Sequence, residues 1–121
     1  MQKYMVFLTL ALMSSTSLAT INAFPSSVNF FNVQIGLFQS QRVTVQNLNG
    51  PAEQVSVSNS CFGDFMVNSM CNLTLGPNDS CSIDIQFQPR REGFQICSLF
   101  IGGLHGGGAN VRVSGQGVRS L

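Results

Sequence analysis

The chain has 121 residues, with six Lys and Arg against five Asp and Glu and a formal net charge of +1. So balanced a chain argues against a nucleic-acid partner, because a phosphate-binding surface needs several clustered cations to displace counterions. The only adjacent cations, Arg90-Arg91, stand beside Glu92.

In chain order, the first feature is a leader. Lys3 precedes an apolar core from Val6 to Met13, and small polar residues follow as far as Ile21-Asn22-Ala23, the layout of a secretory signal peptide. A membrane span would need roughly 18 consecutive apolar residues, and Ser14 to Ser17 interrupt this run early. Cleavage is expected after Ala23, which divides the chain into a signal peptide (1–23) and one domain (24–121). Removing 23 of the 121 residues leaves 98, enough for one hydrophobic core but near the size at which covalent staples help. The exported chain is expected to be periplasmic or extracellular, with no membrane span.

Phe24 to Ser27 reads as a lead-in. Val28 and Phe30, then Val33 and Ile35, suggest an edge strand whose register shifts near Phe31-Asn32. Val43 and Val45 alternate with Thr44 and Gln46 before the turn residues Asn47 to Pro51, and strict alternation is the period of a half-buried strand. Further strands are expected over Gln54 to Asn59, Phe65 to Val67, Ser82 to Gln88, Gly93 to Ile101 and Ala109 to Ser114. Helical periodicity is absent after the leader. About seven short strands separated by Gly and Pro predict an all-β, antiparallel sandwich. Its core would hold Phe30, Val43, Val45, Val55, Val57, Phe65, Val67, Leu75, Ile83, Ile85, Phe87, Leu99, Ile101, Val111 and Val113, together with a bridge between Cys61 and Cys97.

Four cysteines behind a signal peptide point to disulfides formed in an oxidising compartment. Structural zinc sites favour Cys pairs two to four residues apart, and Cys61, Cys71, Cys81 and Cys97 are spaced more widely. Side-chain direction selects among the three possible pairings. With Val55 and Val57 inward, alternation turns Cys61 inward; with Leu99 and Ile101 inward, it does the same for Cys97. Cys61 is therefore expected to pair with Cys97, and Cys71 with Cys81. Loop closure gives about 3.8 kcal/mol for the longer loop and about 2.8 kcal/mol for the shorter, as upper figures.

The run Cys71-x3-Leu75-x-Pro77-x3-Cys81-x5-Phe87-x-Pro89-x3-Gly93, closed by Val113-Ser-Gly115-Gln-Gly117, resembles the Hydin-like, ASH-type immunoglobulin module. Bacterial relatives occur in choice-of-anchor proteins, and the module is akin to major sperm protein and the PapD-like superfamily. The resemblance spans nearly all of the chain after the leader. Asn78 stands where such modules usually carry Gly after the turn proline, and Gly115 would let the last strand end tightly. The resemblance implies an immunoglobulin-like sandwich of about seven strands and a non-catalytic module for assembly or adhesion.

Chemistry along the chain is sparse. The segment after the leader offers one His, three Asp and two Glu, too few convergent titratable groups for an expected catalytic site, metal site or cofactor site. The loop Gly102 to Gly108 around His105 lacks the Lys-Ser/Thr and the following helix of a phosphate-binding loop. One feature exceeds a plain sandwich. Alternation that turns Cys97, Leu99 and Ile101 inward leaves Ile96 and Phe100 outward, beside Arg112, where other strands present polar residues. Ile96, Phe100 and Arg112 are the candidate binding site for a protein or cell-envelope partner. The competing readings are a strand-addition protein of the pilus chaperone or subunit kind and a small secreted enzyme or inhibitor.

Overall fold

Val43 and Val45, Ile83, Ile85 and Phe87, Leu99 and Ile101, and Val111 and Val113 alternate with polar neighbours, and all of them are buried. A pleated strand with that period buries one face, and two such sheets bury their apolar faces against each other. The computed structural model describes residues 20–48 and 50–121. Among them are nine strands: β1 (Thr20–Phe24), β2 (Ser27–Gln34), β3 (Gln39–Leu48), β4 (Glu53–Asn59), β5 (Phe65–Ser69), β6 (Thr74–Leu75), β7 (Ser80–Phe87), β8 (Gly93–Gly103) and β9 (Gly108–Val118). One sheet has the order β1-β3-β7-β5 and the other β2-β9-β8-β4-β6. Neighbours are antiparallel except β2 and β9, which run parallel.

The all-β sandwich stands, with nine strands where about seven were expected. Both additions lay where periodicity is hard to read. β6 is two residues long, inside the Cys71–Cys81 loop, and pairs with β4. β1 falls across the expected cleavage point. Residues 1–19 of the expected leader lie outside the described residues, whereas Thr20 to Ala23 belong to a strand paired along β3.

The core holds the expected residues, except that Val57, Val67 and Cys61 are only half-buried, and it gains Ile21, Ala23, Val28, Val33 and Cys71. Its centre is aromatic. Phe65 and Phe87 stack with ring centroids 4.7 Å apart, and Phe30 lies 5.7 Å from Phe87. Gly115 serves that cluster. It lies within β9 rather than ending a strand, and a Cβ there would come within 2.6 Å of the Phe87 ring. The register of β2 shifts between Asn29 and Asn32, where Phe31 takes a φ of 57° and its N–H donates to the Asn29 side chain at 2.8 Å.

Cys61 and Cys71 follow the ends of β4 and β5, Cys81 opens β7, and Cys97 lies within β8. Cys61 is bonded to Cys97 and Cys71 to Cys81, with Cα atoms 5.0 and 5.3 Å apart. In the stapled turn Asn78 adopts a φ of 64°, the left-handed conformation that Asn tolerates better than most residues with a side chain. Asn47, fully buried, joins this turn to the β3–β4 connection: its amide donates to the carbonyls of Pro51, Leu75 and Gly76.

Candidate partner-binding face

The strand β8 lies between β9 and β4, so its outward side chains occupy the middle of the five-stranded sheet. Its outward positions are Phe94, Ile96, Ser98 and Phe100. Phe94, Ile96 and Phe100 are 64%, 47% and 45% exposed. Across β9 the facing residues are Gln116, Ser114, Arg112 and Asn110, and Ser58 of β4 faces Phe100. Arg112 pairs with Ser98, between the rows of Ile96 and Phe100. The structure thus brings Ile96, Phe100 and Arg112 onto one face, and no carboxylate occupies the facing positions named.

A cleft of about 540 Å³ opens at the start of β8, lined by Phe62, Asp64, Arg90, Phe94, Gln95 and Ile96 among others. The Cys61–Cys97 bond ties the loop that carries Phe62 and Asp64 to β8. Beneath the cleft, the Asp64 side chain is only 6% exposed. It accepts hydrogen bonds from the Arg90 backbone N–H (3.0 Å), the Arg90 guanidinium (2.9 Å) and the Gln95 amide (2.7 Å). Burial pushes this carboxyl upward and is the largest single influence. The hydrogen bonds from Gln95 and from Arg90, together with the Arg90 charge, outweigh burial and lower the pKa to about 2. Asp64 therefore stays ionised and holds Arg90 and Gln95 in place. Among the described residues, Arg91 and Arg112 make no ion pair, so their charge is unspent on the same side of the molecule.

The remaining acidic residues are each engaged. Asp84 pairs with Arg42 at 2.8 Å on the outer face of the four-stranded sheet, and Glu92 with Arg119 at 3.1 Å. Asp79 accepts the Gly76 N–H at 3.0 Å inside the stapled turn. Glu53, buried at the start of β4, reaches into the glycine-rich β8–β9 loop. There it accepts the His105 backbone N–H at 2.6 Å and lies 3.4 Å from the His105 ring. Among the described residues no group of three metal-ligating side chains converges.

Sequence reasoning missed Phe94, Phe62 and the Asp64 network. Phe94 was within reach, because the alternation that exposes Ile96 and Phe100 extends two residues back to it. Phe62 and Asp64 lie in a turn, where no period applies. Glu53 was also legible: with Val55 and Val57 inward, alternation places a carboxylate inside the sandwich.

No family profile matches the sequence, and no curated protein sequence is significantly similar to it. Solved structures are similar in fold. The ASH/PapD-like domain 7 of human CEP192 matches with a TM-score of 0.68 at 14% identity, over 84% of this chain and 87% of that one. The MSP-family member WR4 of C. elegans matches with a TM-score of 0.56 at 11% identity, over 83% and 99%. The secreted serine protease VesC of Vibrio cholerae matches with a TM-score of 0.57 at 15% identity, over 93% of this chain but only 25% of the protease. The fold is that of the immunoglobulin-like PapD/MSP sandwiches, found both as near-complete chains and as one part of larger proteins.

Proposed function

We propose that this chain is an exported, non-enzymatic binding module that docks a protein partner on the outer face of its five-stranded sheet. One observation carries the reading: Phe94, Ile96 and Phe100 point outward along the central strand β8, where the outward residues of its neighbours β9 and β4 are polar. Exposed apolar side chains gathered on one face mark interaction surfaces. Arg112 and Arg91 give the face a positive rim, so the fitting partner presents apolar side chains flanked by carboxylates.

Two disulfides and the likeness to part of a secreted protease support a place outside the cytoplasm. The non-enzymatic part of the reading rests on the sparse titratable groups of the sequence after the leader, one His, three Asp and two Glu.

The test is photo-crosslinking in the native host, with a crosslinkable amino acid at position 100 or 94 and position 42 on the opposite sheet as control. A discrete protein adduct from 100 and 94 alone is expected. Equal capture from position 42, or none from any position with folded protein, overturns the assignment of the face. Strand addition is a second reading, favoured by β5: this edge strand, Phe65–Ser69, carries none of the Lys or Pro residues that commonly block edges. Crosslinks from position 66 or 68 in place of 100 would select it.

A further inference from the structure

The expected processing point and the structure meet at β1. Thr20 to Phe24 pair residue by residue with Leu48 to Thr44 of β3. Ile21 and Ala23 are 5% and 6% exposed and belong to the core cluster. Cleavage after Ala23 would leave only Phe24 of the strand. It would remove two core side chains and uncover the backbone edge of β3 over the residues that now pair with β1, and an open edge of that kind invites pairing with other chains.

The residues upstream offer a different point. Signal peptides end in a small-x-small cleavage sequence. Ser17-Leu18-Ala19 supplies a small residue at both required positions, whereas Ile21-Asn22-Ala23 puts a β-branched Ile at the first of them. We propose that the leader is removed between Ala19 and Thr20, so that the exported protein begins with an intact β1. The leader is then 19 residues long, within the ordinary range of about 15 to 30, and the four-stranded sheet keeps the strand that covers β3. The inference rests on the export reading above.

The test expresses the full 121-residue chain with its own leader, collects the extracytoplasmic fraction, and determines the first residue by intact mass and N-terminal sequencing. A chain beginning at Thr20 is expected. One beginning at Phe24 leaves export standing and overturns the inference; an unprocessed chain confined to the cell overturns export and the inference with it. Two variants sharpen the result, since processing takes place on the translocating chain and does not depend on the variant's final stability. Ala19→Tyr is expected to reduce the processed fraction about tenfold or more by removing the small residue before the cut. Ala23→Val should leave the start at Thr20. The opposite pattern, with Ala23→Val blocking and Ala19→Tyr processed, refutes the site.

Discussion

The outer faces of the two sheets are built by the same alternation and differ in what they present. On the four-stranded sheet the central strands carry Thr44, Ser82, Gln86 and the Arg42–Asp84 pair. On the five-stranded sheet the central strand carries Phe94, Ile96 and Phe100. Inner faces must be apolar for the sandwich to form, so both sheets satisfy that demand alike. Outer faces are free of it. The polar outer positions of β3 and β7 show that a central strand of this fold needs no apolar residue on its outer face, whereas exposed Met66 and Phe24 lie on the edge strands of that sheet; the partner face proposed above is what would account for the apolar row on β8.

The sharpest way to break this contrast is to compare one inner and one outer aromatic residue. Phe87→Ala, which empties the centre of the aromatic cluster, should cost about 3–5 kcal/mol in chemical denaturation. Phe100→Asp should stay within about 0.5 kcal/mol of the parent while abolishing partner capture. If Phe100→Asp also unfolds the protein, the residue belongs to the core and the contrast fails.

The two disulfides offer a smaller but more selective comparison. Replacing Cys61 and Cys97 with Ala should cost roughly 4 kcal/mol, and replacing Cys71 and Cys81 roughly 3 kcal/mol, by loop closure. Only the first pair anchors the loop beside the cleft. Its loss should therefore weaken capture from position 94, whereas loss of the second should leave capture unchanged in protein that remains folded. Equal effects on capture would separate the cleft from the binding face.

The smallest effect concerns acid. The Asp64 carboxyl lies near 2 in the folded protein, below its ordinary value of about 4. Its stabilisation is therefore complete above about pH 4 and is lost as pH falls toward 2, amounting to roughly 1–2 kcal/mol. Asp64→Asn should flatten the stability profile across that window. Asp84, exposed on the polar sheet, is also lowered by its hydrogen bond from Arg42, yet Asp84→Asn should flatten the profile less, because solvent screens the pair. A larger effect from Asp84 would reverse the ranking.

Much of the fold was readable because a two-residue period is a direct record of burial. Ile83, Ile85 and Phe87, or Cys97, Leu99 and Ile101, declare their inward face without further context, and the same reasoning pairs Cys61 with Cys97. β1 was masked by a competing signal: an apolar, small-residue stretch behind a leader reads as cleavage sequence, and its strand character depends on partners in β3 from Thr44 to Leu48, outside any local window. β6 is too short to show any period. At the proposed binding face, Ile96 and Phe100 were visible as exceptions to alternation, and Arg112 as the outward residue beside them. The cleft was not, because Asp64 gains its meaning only when the chain brings Arg90 and Gln95 beside it. Gly115 was misread for a related reason, since the ring that requires it to be Gly belongs to the opposite sheet.

The parallel pairing of β2 with β9 sets how the molecule bears mechanical tension. A pull between the chain's two ends, once β1 has come away, draws β2 and β9 past each other along their length. Their ladder, from Ser27 opposite Arg112 to Gln34 opposite Val118, is then loaded in shear, and its hydrogen bonds share the force instead of parting one at a time. Behind that ladder the Cys61–Cys97 bond closes a loop with a sequence separation of 36, a stretch of chain that cannot pay out under load. Under such a pull the ladder is the element that resists, and the disulfide limits how far the chain extends once the ladder yields.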